Sequence, residues 1–390
     1  MDKVRYGIVG LGNQGTYYLK LLLAGKVTDG EVSAVCDINP DKIKNAISLG
    51  FNGATYSDYK EMVNSGKVDA ILVEVPHYFH PEISIYGLEH GVHVLCDKPA
   101  GVYTKQVKEM NAVADKSDKL FGLMFNQRTD WHYRVVKDMI ANGELGDIKR
   151  INWIITNWFR TQAYYNSSAW RATWKGEGGG VLLNQCPHQL DLIQWVTGMM
   201  PSKIHAFCRM GKWHDIEVED DVTAYLEYAN GATGVFITTT GEGAGTNRLE
   251  IVGTLGKIVV EDDKVIHTKL TEKDSDIIKN NPNGFCNPAT TPYEVKGDGN
   301  NLQHLGILLN FTAAILGKEK LFVSGQEGIN GVEIMDGMLL SAFLGKAVNI
   351  PIDDDLYLEE LNKRIATSAD KTVKEVIFDT SSSFAGAKSK

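Results

Sequence analysis

The sequence predicts an α/β protein with two domains: a doubly wound parallel sheet, then an α+β domain with an open, mostly antiparallel sheet. The chain has 390 residues, more than one ordinary domain uses. Strand and helix patterns alternate in the first 125 residues, whereas strand patterns follow one another from residue 147 onward. We therefore expect a nucleotide-binding domain over 1–125, a substrate-binding and oligomerisation domain over 126–350, and a C-terminal extension over 351–390.

Composition excludes several classes of protein. Hydrophobic residues make up 43% of the chain, which is enough for two cores. The net charge of −9 disfavours binding to nucleic acid. The five cysteines form no CxxC pair, which indicates free thiols in a reducing compartment. No apolar run is long enough to cross a membrane, and no signal-peptide core fits before the first glycine turn. We expect a cytoplasmic protein.

The first element is a strand over Val4–Val9, which runs into a glycine-rich turn and a helix over Thr16–Leu23. Strand, turn and helix form the context in which GxGxxG indicates a dinucleotide site. Gly10 permits the tight turn, Gly12 lets a pyrophosphate approach the backbone, and Gly15 allows close helix packing. The amides of Asn13 and Gln14 lie at the helix N-terminus, which favours phosphate.

The second strand, Val32–Cys36, ends at Asp37, 22 residues after Gly15. A carboxylate at this strand end can accept hydrogen bonds from the adenosine ribose and repels a 2′-phosphate. No Arg or Lys follows before Lys42, so the sequence favours NAD over NADP. The alternative is that Asp37 only caps a loop before Pro40.

Further strands are predicted over Val68–Val75, Val92–Cys96 and Leu120–Phe125, and helices over His80–His90 and Thr104–Ala114. Ligands of doubly wound sheets bind beyond the carboxyl ends of the strands. We therefore expect the glycine turn, Asp37, Pro76–His80 and Asp97-Lys98-Pro99 at one edge, with Pro76, His77, His80, Asp97 and Lys98 as candidate cofactor contacts. His77 and His80 lack a third ligand, so no metal is expected.

These strand ends resemble the Gfo/Idh/MocA family of sugar and cyclitol oxidoreductases. The matching segments are GIVGLGNQG, VPHYFHPEISIYGLEHGVHVLCDKP, FNQR and GEGGGVLLNQCPHQLD, and the chain to about residue 350 resembles the family's second domain. The family's Glu-Lys-Pro is Asp97-Lys98-Pro99 here. Its D-x-G-x-H reads Asn184-Gln185-Cys186-Pro187-His188, so Lys and His are retained whereas Asp has become Asn and Gly has become Cys.

The resemblance implies hydride transfer between a carbinol carbon of a polyol and C4 of nicotinamide. Such a reaction needs a base of near-neutral pKa, which His188 provides. Lys98 would bind the reacting oxygen and lower the pKa of His188. Asn184 cannot take up a proton but can hold sugar hydroxyls through its amide. Lys98 and His188 are therefore the candidate catalytic residues.

Other interpretations of these residues stay open. His188 could be an ordinary helix-surface residue, and Lys98 a solvated loop lysine. We interpret Cys186 as a packing residue, because nothing orients it as a nucleophile. From the FNQR segment, Asn126 is a candidate cofactor contact and Arg128 a candidate substrate contact.

The second domain begins with consecutive strand patterns. These cover Ile148–Ile155, Ile204–Met210, Val222–Tyr228, Thr233–Thr240, Arg248–Val252 and Lys257–Val260, with helices over Asn301–Leu316 and Gln326–Leu344. Asn230-Gly231 indicates a two-residue hairpin turn. The apolar run Val235-Phe236-Ile237 fits either pairing with a second copy or packing under a helix, and we expect a homo-oligomer.

The segments Asn157–Tyr165 and Trp170–Lys175 mix aromatic, cationic and small polar residues without apolar periodicity. Flat aromatic rings stack on the C–H faces of pyranoses, so we expect a carbohydrate-binding wall. Tyr165, Trp170 and Arg171 join Asn184 as candidate substrate contacts. An interface loop is the alternative. Glu272–Gly299 is predicted to be a long loop over the cleft or a neighbouring subunit, and SSSFAGAKSK a frayed tail.

The favoured hypothesis is an NAD-dependent oxidoreductase that acts on a secondary hydroxyl of a sugar or glycoside. The first choice of reaction is oxidation at C3 of a glucoside, which gives the 3-keto sugar. An inositol dehydrogenase is the nearest alternative. A redox-neutral NAD-dependent glycosidase would need Tyr164 or Tyr165 as an additional acid/base. A sensor that binds NAD and sugar without turnover would have no chemical use for both Lys98 and His188.

Overall fold

Two open β-sheets organise the chain, and the N-terminal one is wholly parallel. The computed structural model describes residues 2–373, so the predicted frayed tail lies outside the described residues. The strands of the first sheet are β1 (Val4–Val9), β2 (Gly30–Cys36), β3 (Ala54–Tyr56), β4 (Ala70–Val73), β5 (His93–Cys96) and β6 (Phe121–Leu123). Their order is β3-β2-β1-β4-β5-β6. The prediction of a doubly wound sheet is confirmed, and the strand order reverses between β1 and β4.

Five helices connect these strands. They are α1 (Asn13–Leu23), α2 (Pro40–Ser48), α3 (Tyr59–Asn64), α4 (His80–Glu89) and α5 (Thr104–Ala114). The sequence did not predict α2, β3 or α3. These elements are short, and α2 buries only Ala46, so no apolar periodicity marks it. The start of α2 is nevertheless encoded locally, because Asn39 accepts a hydrogen bond from the Asp41 N–H at 2.9 Å and Pro40 follows the cap.

The second sheet is mostly antiparallel, as predicted. Its strands are β7 (Ile148–Ile155), β8 (Pro201–Met210), β9 (Glu219–Tyr228), β10 (Thr233–Thr239), β11 (Asn247–Gly253), β12 (Gly256–Glu261), β13 (Lys264–Leu270), β14 (Thr290–Val295) and β15 (Val348–Asn349). Their order is β14-β13-β12-β11-β7-β10-β9-β8-β15. Strands β7 and β10 run parallel, and the other neighbouring pairs are antiparallel.

The remaining helices are α6 (Trp131–Ala141), α7 (Gln162–Tyr165), α8 (Val181–Asn184), α9 (Pro187–Thr197), α10 (Asp274–Asn280), α11 (Gln303–Ile315), α12 (Gly328–Leu344) and α13 (Asp354–Thr367). Helix α12 packs closely on β8, since a Cβ at Gly337 would lie 3.1 Å from Ile204. It ends at Gly345, whose positive φ of 63° suits glycine. Across residues 2–373, no helix combines the length and apolarity that a bilayer crossing requires.

The prediction that Glu272–Gly299 is a loop is wrong in part. This segment contains α10 and also β14, which pairs with β13 at the edge of the sheet. Most of β14 is exposed on both faces, so its sequence lacks the alternation of a half-buried strand. The extension over 351–373 also contains α13, which is capped by Asp353 and buries Tyr357 and Leu361.

The prediction that Arg128 contacts substrate is wrong, because its side chain is fully buried. Its Nε and Nη2 donate to Asp191 at 2.7 and 2.5 Å, and its Nη1 donates to Glu327 at 2.6 Å. The guanidinium also lies over the rings of Phe125 and Trp195. Arg128 therefore joins the chain after β6 to α9 and to the start of α12.

We expect Arg128→Met to lower the free energy of unfolding by about 3–5 kcal/mol, because Asp191 would keep a buried charge without its partner. The matched control is Arg134→Met, which removes a partly exposed pair with Asp298 and should cost less than about 1 kcal/mol. Urea unfolding monitored by circular dichroism measures both values. Equal losses for the two variants would contradict the structural role of Arg128.

Candidate active site

Three contacts join the carboxyl edge of the first sheet to the second domain. Tyr78 donates from its hydroxyl to the carbonyl of Trp174 at 2.7 Å. The rings of His77 and Trp170 meet edge to face with centroids 5.6 Å apart. The Lys98 Nζ donates to the backbone carbonyl of Asn184 at 2.8 Å. Residues from both domains therefore meet at the ends of β4 and β5.

The glycine turn leaves space at one position and none at two others. A Cβ at Gly10 would lie 2.3 Å from the carbonyl oxygen of Glu74, and φ is +95° there. A Cβ at Gly15 would lie 1.9 Å from the Gly10 carbonyl oxygen. No atom of residues 2–373 comes within 4 Å of a Cβ built at Gly12. Helix α1 starts directly after it, with Asn13 and Gln14 in its first turn. This arrangement fits a pyrophosphate on the helix N-terminus.

Asp37 lies beside this turn, in the place that the sequence predicted. One carboxylate oxygen accepts from the Leu11 N–H at 2.7 Å, and the other accepts from the Asn39 N–H at 2.8 Å. Each oxygen keeps a lone pair for a ribose hydroxyl. Asp37 therefore makes the capping contact of the alternative interpretation, and its remaining lone pairs are compatible with the predicted ribose contact.

Lys98 follows β5 and lies between the two domains. Burial lowers its pKa, and Asp97 opposes that effect. Asp97 itself accepts from the Lys98 backbone N–H at 2.8 Å, and burial raises the pKa of its carboxyl. Since an ammonium has three donors and one is bound to the carbonyl of Asn184, two are left for a ligand.

His188 lies in the first turn of α9, four residues after Asn184. Its ring is buried, and burial together with Lys98 and His304 holds the pKa of His188 well below its usual range. The imidazole is therefore neutral at pH 7 and can accept a proton or a hydrogen bond. His304 at the start of α11 is a second imidazole near Lys98, with its pKa lowered by burial to about 3.

Trp170 and Arg171 belong to an aromatic and cationic cluster. The Arg171 guanidinium lies 4.6 Å from the ring centroids of both Trp170 and Tyr164, and its Nη1 donates to the Tyr164 hydroxyl at 2.8 Å. Arg160 lies 5.1 Å from the Tyr164 ring centroid as well. Since Trp170 also touches His77, this cluster reaches the carboxyl edge of the first sheet.

Glu177 is a buried carboxylate within this cluster that the sequence analysis missed. It accepts hydrogen bonds from the Ala172 N–H at 2.5 Å and from the side-chain amide of Asn184. The Arg171 Nη1 lies 3.8 Å from it. Burial raises the pKa of Glu177, whereas these three groups lower it. An acidic residue one position before the glycine run GGG was the available signal. No sequence pattern marks His304 as a site residue, because only the tertiary fold brings α11 to the site.

Two more predicted contacts are wrong. His80 is buried, and its ring nitrogens lie 2.7 and 2.8 Å from the carbonyls of Pro99 and Val75, so the ring holds the turn after β5 and does not face a cofactor. Tyr165 is also buried, with its hydroxyl on Thr240 at 2.7 Å, which leaves Tyr164 as the tyrosine next to Arg171.

Pro76 and Asn126 lie at the expected strand ends. Pro76 precedes a short 3₁₀ turn, His77–Phe79, after β4. Asn126 starts the turn after β6, where its amide nitrogen donates to Gln303. Its buried Oδ1 has no hydrogen-bond partner among residues 2–373. Because a buried amide oxygen normally has a partner, this atom fits a ligand donor such as a carboxamide.

The described end of the C-terminal extension lies against the wall. Ser368 and Ala369 donate to the carboxylate of Glu217 at 2.5 and 2.6 Å. The Lys371 Nζ donates to the backbone carbonyls of Tyr165 and Arg171. The residues after α13 therefore contact the segment that carries the candidate substrate contacts, which the sequence did not predict.

Two family models match the chain. Residues 4–125 match the NAD-binding Rossmann fold of an oxidoreductase family, and residues 133–259 match the GFO/IDH/MocA C-terminal domain. Together they cover more than half of the chain. Residues 4–125 therefore form an NAD-binding domain, and the turn at Gly12, the α1 terminus and Asp37 are the groups that fit the cofactor.

Relatives of similar sequence include an inositol dehydrogenase and a glucoside dehydrogenase. The chain is 26% identical over 281 residues to a myo-inositol 2-dehydrogenase from Thermotoga maritima, covering 70% of this chain and 80% of that protein. It is 27% identical over 249 residues to a D-glucoside 3-dehydrogenase from Escherichia coli, covering 58% and 68%. The WlbA dehydrogenase from Chromobacterium violaceum, solved with NADH and UDP-GlcNAcA, superimposes with a TM-score of 0.77 at 25% identity, covering 90% and 97%.

We expect Asp37→Asn to weaken NAD binding about tenfold or more, because a hydrogen bond to a charged group is worth about 1.5–3 kcal/mol. NADP should bind better than it does to the wild type, since the repulsion of its 2′-phosphate is removed. Fluorescence titration with both reduced cofactors measures the ratio of their affinities. Asp118→Asn, an exposed carboxylate at the opposite edge of the sheet, is the control. An unchanged ratio in Asp37→Asn would contradict the assignment.

Proposed function

Because the chain belongs to the Gfo/Idh/MocA family of oxidoreductases, we propose that it is an NAD-dependent dehydrogenase of sugars or glycosides. Its proposed reaction oxidises a secondary hydroxyl. The first choice is the hydroxyl at C3 of a glucoside, which gives the 3-keto sugar. The observation that carries the proposal is the meeting of Lys98 with the Asn184–His188 segment. Lys98 binds the Asn184 carbonyl at 2.8 Å, and its charge lowers the pKa of the nearby His188.

Lys98 and His188 have different proposed roles toward the reacting hydroxyl: Lys98 binds its oxygen, and His188 accepts its proton. NAD, when bound, supplies the two-electron acceptor at C4 of its nicotinamide. The two remaining Lys98 donors bind the reacting oxygen and stabilise negative charge as it develops there. Neutral His188 accepts the hydroxyl proton. Burial and Lys98 hold the pKa of His188 well below the near-neutral value that the sequence analysis expected, so His188 is a weaker base than predicted.

The wall around Tyr164, Trp170 and Arg171 supports a ring-shaped polyol as substrate. Flat aromatic faces and guanidinium donors suit the alternating C–H and O–H surface of a pyranose. The relative that is a glucoside 3-dehydrogenase supports C3 as the first carbon to test. The relative that is a myo-inositol 2-dehydrogenase supports a cyclitol as the second candidate substrate.

A redox-neutral glycosidase is a different use of the same cofactor. It would need an additional acid/base at the wall, and Tyr165 is poorly suited because its hydroxyl is bonded to Thr240 and burial raises its pKa. Tyr164 would have to act instead, although its hydroxyl already accepts from Arg171. A sensor that binds NAD and sugar would bind both without turnover.

Product mass separates these possibilities. The enzyme is incubated with NAD and methyl glucosides, free hexoses or inositols, and the products are analysed by mass spectrometry. We expect a methyl glucoside to lose two daltons, with fragmentation that places the ketone at C3. A two-dalton loss from inositol alone would favour the second candidate. Release of free hexose without net NADH, or no product although NAD binds, would contradict the proposal.

Two variants, Lys98→Met and His188→Ala, test the roles proposed for these residues. Each should lower kcat by about 10²–10⁴-fold, the usual range for loss of a general acid or base. NAD binding by His188→Ala should stay within a few-fold of the wild type, because His188 lies on α9, away from the glycine turn. Retained turnover in both variants, or loss of NAD binding in His188→Ala, would contradict these roles.

We also propose that the outer face of the second sheet binds a second copy of the chain. Phe207 and Tyr225 are 61% and 44% exposed on this face, and Ile154 lies beside Ile237 in neighbouring strands. Phe236 points into the core instead. The run Val235-Phe236-Ile237 therefore has Phe236 on the buried face of the sheet and its two neighbours on the outer face. An apolar sheet face of this kind is typical of an interface.

We expect Phe207→Glu to reduce the oligomer to monomers, because it places a charge within the apolar patch. Sedimentation velocity at micromolar concentration measures the size. Phe285→Glu, at an almost fully exposed residue outside this face, is the control and should leave the size unchanged. A monomeric wild type would contradict the proposal.

A further inference from the structure

Glu177 is a buried carboxylate beside the candidate reacting centre, and the proposed reaction gives it no role. Its side chain is 2% exposed. One oxygen, Oε2, accepts from the Ala172 N–H at 2.5 Å, and the other, Oε1, accepts from the Nδ2 of Asn184. The backbone carbonyl of Asn184 in turn binds the Lys98 Nζ. Asn184 therefore contacts Glu177 through its side chain and Lys98 through its backbone carbonyl.

The contact fixes the orientation of the Asn184 amide. A carboxylate only accepts hydrogen bonds, so the amide nitrogen must face Glu177 and the amide oxygen must face away. Within residues 2–373, no donor bonds to that oxygen, and Asn184 is half-buried, with part of its surface exposed. Asn184 thus has an unbonded side-chain acceptor, while its backbone carbonyl binds Lys98. An unrestrained amide would present its donor or its acceptor with similar ease.

We propose that Glu177 is a positioning residue that holds the Asn184 carbonyl oxygen toward the substrate, so that Asn184 accepts a hydrogen bond from a substrate hydroxyl. An Asp at position 184, as in the family motif, would accept that bond by itself. In this chain two residues share these properties: the amide oxygen of Asn184 is the acceptor, and the carboxylate of Glu177 carries the negative charge. The inference rests on the proposed oxidation of a polyol.

A merely structural role for Glu177 has a different consequence. Ala172 has a left-handed backbone with φ of +55°, and the Glu177 carboxylate binds its N–H. If Glu177 only stabilised this turn, Gln would replace it well, since the Gln amide oxygen can accept the same bond. The Gln amide nitrogen would then face Asn184, and Asn184 would turn its own oxygen inward to accept from it. E177Q therefore keeps the turn but reverses Asn184.

The test exchanges the two side-chain types. E177Q should raise KM about tenfold or more, because Asn184 now presents a donor to the substrate hydroxyl. N184D should be at least as impaired, because its carboxylate faces the carboxylate of Glu177. The double variant E177Q/N184D should recover to within about threefold of wild-type kcat/KM. In it, the new glutamine accepts from Ala172 and donates to the new aspartate, whose outer oxygen accepts from the substrate.

Calorimetric binding of the substrate to the NADH-bound enzyme provides a readout that needs no turnover. Affinity should follow the same pattern as KM. E333Q is the matched control, since Glu333 is also a buried carboxylate that accepts a backbone N–H, that of Ile352 at 2.6 Å, and it does not contact Asn184. It should leave KM and affinity unchanged. Thermal unfolding of every variant confirms that it folds, and if E177Q alone does not fold, the comparison of N184D with the double variant carries the test.

Recovery in the double variant supports the positioning role. Wild-type affinity in E177Q, or a double variant no better than N184D, would overturn it. These outcomes differ from failure of the proposed function, which would show as a wild-type protein that binds no sugar and produces no ketone.

Discussion

The hydrogen bond from the Lys98 ammonium to the backbone carbonyl of Asn184 is the contact on which the site depends. It spans the two domains, since Lys98 follows β5 of the parallel sheet and Asn184 ends α8 of the second domain. It holds the ammonium of Lys98 at the Asn184–His188 segment, where its charge lowers the pKa of His188. Together with the Tyr78–Trp174 and His77–Trp170 contacts, it joins the cofactor edge to the substrate wall.

Two of the buried charges near this contact, Arg128 and Glu177, have partners of opposite charge. Arg128 binds Asp191, three residues after His188 on α9, and Glu177 lies beside Arg171 and Asn184. An unpaired charge at these depths would be strongly destabilising. The ion pair of Arg128 with Asp191 therefore supports the helix that carries His188.

The sequence predicted those site residues whose positions follow from local patterns. It missed those that tertiary packing brings to the site. The glycine turn, Asp37 and Lys98 follow directly from strand ends, so their positions agree with the structure. Arg128 was misassigned because a sequence cannot reveal that Asp191 and Glu327 surround a guanidinium. His304 and the exposed edge strand β14 left no periodic signal, and their places depend on contacts far apart in the chain. Glu177 stood beside a recognised motif, but its importance comes from its contact with Asn184.

The most direct measurement is a crystal structure of the enzyme with NAD and a 3-deoxy-3-fluoro glucoside, which cannot be oxidised at C3. The account predicts that the Lys98 Nζ keeps its bond to the Asn184 carbonyl and lies within about 3.2 Å of the substituent at C3, a hydrogen-bond distance. It also predicts that the His188 ring contacts the same substituent. A sugar bound with C3 facing the aromatic wall, or a Lys98 side chain that turns away to Asp97, would contradict the account.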